Sequence, residues 1–298
     1  MTLARRLRAI AVVATTLAIC TSCTSGGTGA APASSTVATA QPGTVSTTTT
    51  LPDTAVESTQ DVRTVVPGVL TVGTESLTPP WYIGSTPATV TSGFEFDVAK
   101  ALAARLHVPS VSVVVTPLVR MLSGADCSCD LMLSEVVVTD GRARDADLTE
   151  PYLTVDQAVL VRAGTSMSSV DEGRPFRWGV ALQNSAGLNV IEQRIRPVAP
   201  PDVLVDEKDG IQRVADGRLD AMIVQTPTAL AAAAANPALS VAGQLRTGEL
   251  FAAVLTLGSP NTAALNGAIG DMRDDGTIAF FLRHYFGQNP ADVPEIPS

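Results

Sequence analysis

Arginine 142 is the side chain in this sequence best placed to do chemistry. It lies in LMLSEVVVTDGRARDADLTEPYLT, residues 131–154, where an apolar run gives way to Arg142 and Arg144 set among four acids. A guanidinium presents a planar fork of donors matched to a carboxylate, and it stays charged at any working pH. Two readings are open at this level: a clamp on an anion, or a surface ion pair with Asp140, Asp145 or Asp147. Other candidate groups are scarce. His107 and His284 are the only histidines, and Lys100 and Lys208 the only lysines. No G-x-S-x-G, H-E-x-x-H or P-loop pattern occurs, and the folded part has no G-x-G-x-x-G. No catalytic residue, metal site or cofactor is therefore expected. Cys127 and Cys129, in the triplet CSC, lack the further ligands that a zinc site needs, so packing or a local disulfide is expected, with a redox or metal role as the alternative.

The elements that must position Arg142 alternate between strand and helix patterns from about Val65 onward. GVLTVG and VSVVV read as buried strands, and between them FEFDVAKALAARLHV sets Phe94, Val98, Leu102 and Leu106 at helical spacing. The second half repeats the alternation: FRWGVAL before AGLNVIEQRI, DVLV before GIQRVADG, and LDAMIV before TPTALAAAAA. NTAALNGAIGDMRDDGTIAFFLRHYF reads as two helices split at Gly276. Two such sets predict an α/β protein of two lobes with mainly parallel sheets. A formal charge of −9, with no basic stripe, argues against nucleic acid as a partner.

The N-terminus is of a different kind. MTLARRLRAIAVVATTLAICTSC has three early arginines and an apolar run too short for the ~20 residues of a permanent membrane span, so residues 1–22 read as an export signal. Cys23 is the favoured lipidation acceptor, with Cys20 or plain cleavage as alternatives. Residues 23–62 are rich in Ser, Thr, Ala, Gly and Pro and read as a disordered tether that holds a domain off a membrane surface.

In order and spacing, the folded segments resemble the bacterial extracellular solute-binding proteins of family 3, the polar amino-acid receptors of ABC importers. GVLTVGTESLTPPWY followed by SGFEFDVAKALAARL is similar to that family's first strand, Pro-aromatic loop and G-F-D-x-D-x-A helix. VRMLSGADCSCDLML is similar to its N-R-I-P-A-L-x-x-G-x-x-D segment, with Arg120 and Asp130 in the matching places. Residues 131–154 resemble its S-x-[ST]-[IV]-T-x-x-R and D-F-[ST]-x-P-Y run, and DGRLDAMIVQTP and MRDDGTIAFFLRHYFG its later segments. The likeness implies a type II periplasmic-binding fold with a hinged ligand cleft. Lobe 1 would comprise residues 63–162 and 250–287, lobe 2 residues 163–249, and a tail residues 288–298. The chain would cross near Leu160–Gly164 and return near Gly248–Phe251.

Carried onto this chain, the resemblance makes Arg142 the clamp on a ligand α-carboxylate. Thr139 would orient it, and backbone N–H groups around Val137 would donate to the same anion. Asn184 and Ser185 fall at the turn before a helix in the second lobe, a position suited to anions. Several positions depart from the family pattern. Gln225 stands where an Asp pairs with the α-ammonium, and Thr78 stands where an aromatic stacks on the ligand, leaving Trp81 and Tyr82 as nearby rings. Glu135 replaces a small residue, and three roles are open to it: pairing with a ligand cation, neutralising Arg142 in the empty cleft, or facing solvent. The implied protein is a non-enzymatic, membrane-tethered receptor that passes a small carboxylate-bearing solute to an ABC permease. The alternatives are a ligand sensor for a signalling membrane protein, or an enzyme of the cyclohexadienyl dehydratase type with Glu135 as its acid.

Overall fold

The computed structural model describes residues 62–297. The expected signal peptide, the Cys23 acceptor and the tether up to residue 61 lie outside the described residues. In chain order the elements are β1 (Val69–Thr74), α1 (Phe94–Arg105), β2 (Ser110–Val115), α2 (Leu118–Leu122), β3 (Leu131–Met132), α3 (Asp140–Asp145), β4 (Ala146–Leu148) and β5 (Leu153–Arg162). They continue with β6 (Trp178–Ala181), α4 (Ser185–Val190), β7 (Asp202–Leu204), α5 (Glu207–Ala215), β8 (Ala221–Gln225), α6 (Thr226–Ala235), β9 (Leu239–Phe251), β10 (Val254–Thr256), α7 (Thr262–Asp274) and α8 (Thr277–Phe286).

These strands form two five-stranded sheets, ordered β2-β1-β3-β10-β4 and β7-β6-β8-β5-β9. Within each, three neighbouring strands run parallel and the two strands nearest the lobe crossings pair antiparallel. In open α/β sheets the carboxyl ends of parallel strands are where ligands are held. Here those ends carry the loops after β1 and β3 in the first lobe and after β6, β7 and β8 in the second.

The first core forms around α1. Phe94, Val98 and Leu102 are fully buried along one face, each contributing roughly 1.5–3 kcal/mol by leaving water. Gly93 opens the helix at φ 128°, and a Cβ there would collide with the Trp81 carbonyl oxygen, so no larger residue fits. Trp81, Phe94 and Phe286 pack ring to ring at 5.3–5.5 Å, joined by Phe251 at 6.0 Å from Trp81. The last two helices divide at Gly276, whose φ is 81°.

Two boundaries differ from the sequence reading. β4 belongs to the first sheet and β5 to the second, so the chain changes sheets between Thr149 and Tyr152, not at Leu160–Gly164. β5 pairs with β8 on one edge and β9 on the other, and its apolar run is continuous because both of its faces are buried, Val159 and Val161 in one cluster and Ala158 and Leu160 in another. The return falls between β9 and β10, at Ala252–Ala253. Residues 288–297, read as a tail, pack onto the second lobe. Gln244 and Glu295 form a parallel bridge, the Gln244 amide donates to the Pro290 and Val293 carbonyls, and Ile296 is buried in the second-lobe core.

Cys127 and Cys129 form a disulfide and are both buried against Met121 and Met132. No group of three metal-ligating side chains exists among the described residues, and no helix there is long and apolar enough to cross a membrane.

Candidate ligand cleft

Leaving β3, the chain turns through Ser134 and Glu135 and then runs beside the end of β9. The Val138 N–H donates to the Leu250 carbonyl (2.8 Å), and the Ala252 N–H donates to that of Val136 (3.1 Å). Thr139 caps α3, its hydroxyl accepting the Arg142 N–H at 3.2 Å. A threonine cap is worth about 1 kcal/mol, and here it also fixes the backbone from which Arg142 projects. The Arg142 guanidinium folds back so that Nη1 donates to the Val137 carbonyl at 2.6 Å. Val137 thus serves Arg142 through its oxygen, and its own N–H donates to nothing among the described residues. No ion pair involves Arg142 there either. Asp140 and Asp145 are exposed, and Asp147 is occupied by the N–H groups of Gly258 and Ser259 and the Thr262 hydroxyl.

Glu135 is held unusually. Its φ is 53°, a left-handed conformation that costs a residue with a side chain roughly 1–2 kcal/mol. The compensation comes from below, where the fully buried Glu95 of α1 accepts the Glu135 N–H at 2.7 Å and the Tyr152 hydroxyl on the same oxygen. Its second oxygen, Oε2, is buried without a partner. Burial pushes the Glu95 carboxyl up to about 7, although the Tyr152 and Glu135 hydrogen bonds pull the other way. Glu135 is also raised well above the usual range, first by burial, then by the charges of Glu95 and Glu207. After burial, the charges of Glu95 and Glu135 push the Tyr82 and Tyr152 phenols up. Glu135 neither pairs with Arg142 nor stands free in solvent: it is half-buried and without a cationic partner among the described residues.

The second lobe presents amides. Asn184 caps α4, its Oδ1 accepting the Gly187 N–H at 2.8 Å, while its Nδ2 donates to the Gln157 side chain at 2.8 Å. Gln157, fully buried, passes the chain on by donating to Glu249 Oε2 at 2.7 Å. Gln225 stands opposite Gln157 in the β5–β8 pairing, with no hydrogen bond to its half-buried side chain among the described residues. Ser185 is exposed at the start of α4. Since Glu249 directly precedes Leu250, which receives the Val138 N–H, this amide chain reaches the Arg142 loop. Glu207, in the first turn of α5, follows the cap residue Asp206; burial and then the Asp206 charge raise its carboxyl.

The structure separates Trp81 from this group. It is 3% exposed within the aromatic core, so it is a packing residue and cannot cover a ligand; Tyr82 is wholly buried, donating to the Leu133 carbonyl at 2.9 Å. Thr78 is half-buried, its hydroxyl 2.9 Å from that of Ser76 and its carbonyl accepting from the Trp81 and Tyr82 N–H groups. Residues not anticipated from the sequence are Glu95, Gln157, Glu249 and Glu207. Glu207 carried no distinct signal, because an acid in a helix's first turn is what the dipole favours anywhere.

The chain matches the profile of bacterial extracellular solute-binding proteins, family 3, over residues 70–288. It is 30% identical over 233 residues to the L-cystine-binding protein TcyJ of Escherichia coli K12, covering 76% of this chain and 84% of that one. An ancestral cationic amino-acid solute-binding protein superposes with a TM-score of 0.63 at 25% identity, covering 74% of this chain and 96% of that one. The fold alone is shared with the unliganded, open L-cystine receptor of Neisseria gonorrhoeae, at a TM-score of 0.61 and 19% identity over 75% of this chain and 94% of that one. On the family match and the relative's coverage together, the chain belongs to the bacterial extracellular solute-binding proteins of family 3.

Proposed function

We propose that this protein is the receptor of an ABC importer for a small amino acid or a related carboxylate, with Arg142 as the clamp on the carboxylate. The observation that carries the reading is the state of Arg142. Its backbone is capped by Thr139 and one nitrogen is anchored on Val137, yet no acid neutralises it among the described residues, although several acids stand close in sequence. A preoriented guanidinium with unused donors at the carboxyl ends of the first-lobe strands suits a bidentate anion. The unused Val137 N–H supplies a further donor, and Asn184, Ser185 and Gln225 line the opposite wall. Lobe closure on the solute is the motion such a two-lobed body uses. In this reading residues 1–22 export the chain, Cys23 carries a lipid, and the segment to residue 62 spaces the receptor from the membrane near its permease.

A thermal-shift screen of the protein against amino acids, amines and carboxylates tests this. A solute at ~100 times its Kd stabilises the folded state by about 2.7 kcal/mol. The gain is expected to vanish in Arg142→Ala. A stabilising solute that binds this variant unchanged removes Arg142 from the site, and conversion of prephenate or arogenate by the protein would replace the receptor reading with an enzyme.

A further inference from the structure

Holding a solute leaves the Cys127–Cys129 bridge without a role, and as a staple it is weak. A disulfide stabilises a fold chiefly by closing a loop in the unfolded chain, and cysteines two residues apart close the shortest of loops. Ser128 between them is exposed at φ 54°, a left-handed backbone that serine does not favour. The chain around the triplet is fastened without the bridge. Arg120 Nε donates to the Asp126 carbonyl at 2.8 Å, and the Ser128 N–H donates to Asp126 Oδ1 at 2.7 Å. On the other side, Asp130 accepts the Val65 N–H at 2.6 Å and the Thr71 N–H at 2.7 Å. Opening the bridge therefore leaves both flanks tied. The thiol that opening creates also has a partner waiting: Cys127 Sγ lies 3.3 Å from the Cys129 carbonyl oxygen, an acceptor for its S–H. Access is on the side of the second cysteine. Cys129 lines a cavity of about 380 Å³ with Arg63, Asp130, Leu257, Ser259 and Asn261. Arg63 brings a positive charge to that wall, which favours an arriving thiolate, while the Asp130 carboxylate is already met by its two N–H groups.

We infer that the Cys127–Cys129 bridge is a thiol-exchange site, opened and reclosed in the folded protein by low-molecular-weight thiols that enter this cavity and attack Cys129. The step needs two thiols. A first thiolate bonds to Cys129 Sγ as the bond to Cys127 breaks, and Cys127 leaves as a thiolate that takes a proton from water. A second thiolate then bonds to the sulfur of the first, and Cys129 leaves and is protonated in turn. Two electrons pass to the protein, two small thiols become one small disulfide, and the reverse sequence reoxidises the pair. A metal does not suit the two sulfurs, since no third ligating side chain joins them among the described residues. The site lies outside the cleft and does not rest on the receptor reading.

The test places the full chain, without denaturant, in mixtures of reduced and oxidised glutathione and, separately, of cysteine and cystine. Free thiols are trapped by alkylation and counted by mass spectrometry on the tryptic peptide of residues 121–142, which holds both cysteines of the triplet. The pair is expected to open and reclose with the redox mixture. Its opening rate should rise with thiol concentration and change less than about twofold in low urea, because exchange in the folded state does not wait for unfolding. Cys127→Ser should hold glutathione on Cys129 as a mixed disulfide about tenfold or more faster than Cys129→Ser holds it on Cys127, since access governs exchange. Leu257 is 59% exposed, so Leu257→Trp should keep the fold by circular dichroism and, by narrowing the cavity, slow opening about threefold or more. A bridge that resists every thiol mixture, or opens only as urea unfolds the chain, overturns the inference. So does equal labelling of the two serine variants, or an opening rate that Leu257→Trp leaves unchanged. Should a serine variant fail to fold, the urea series on the unaltered chain and Leu257→Trp decide the question without it.

Discussion

On the first lobe the cleft loop carries Arg142 and a strained Glu135 over a buried acid, whereas the second lobe answers with Asn184 and Gln157, a chain of amides that ends on Glu249, and with Gln225 beside it. The two walls do different physical work. Amides satisfy one another at little electrostatic cost and fix a shape; Gln157 is bonded at both ends of its side chain. The first-lobe loop instead stores unfavourable terms: a left-handed backbone, a buried carboxyl and repulsion between acids. That asymmetry puts the unfavourable electrostatics in the first lobe and leaves the second to fix a shape.

The comparison can be broken at its margins, beginning with the largest effect. Trp81→Ala should destabilise the fold by roughly 3–5 kcal/mol in denaturant titration, as for other large core truncations. Trp81→Phe should keep solute affinity; a selective loss of affinity there would return the ring to the cleft. Glu95 gives the next effect. Its folded carboxyl titrates near 7 against an ordinary 4.5, so the folded state binds the extra proton. Stability is therefore fully present below about 4.5 and declines as pH rises toward 7, by roughly 3 kcal/mol in all, since each tenfold change in proton affinity is worth about 1.4 kcal/mol. Glu95→Gln should flatten that slope, and an unchanged slope would mean that another group carries it.

Smaller effects separate the two walls. Arg142→Ala should lower solute affinity by about 30- to 100-fold, the weight of a charge-assisted pair, while shifting the ligand-free midpoint little, since the side chain is bonded to the protein only through Val137 among the described residues. Gln225→Asp should have the smallest consequence, raising affinity for an α-ammonium by about tenfold or less, measured by titration. A fall in affinity would show that the amide wall rejects charge.

How much was legible follows from what each signal encodes. Periodicity located α1, and Gly276 marked the break between α7 and α8, because helix faces and left-handed turns are local properties. Strand partnership is not local, which is why the sheet membership of Leu153–Arg162 differs from the sequence expectation: an apolar run looks the same in either lobe. Trp81 departs from its expected place for a related reason, since an aromatic after two prolines carries no sign of which way its ring turns. Arg142 stood out through the spacing of the residues around it. That Asp147 leaves it unpaired required the positions of Gly258, Ser259 and Thr262, far along the chain.

The docked segment after α8 has a practical consequence. At the start of the described body, Arg63 and Val65 are fastened to Asn261 and Asp130, both first-lobe residues. Near its far end, Ile296 and Gln244 exchange backbone contacts on the second. Entry and exit are thus riveted to opposite jaws. A pair of dyes near residues 63 and 296 would need no graft into a loop to act as a gauge of lobe spacing, turning solute capture into an optical signal.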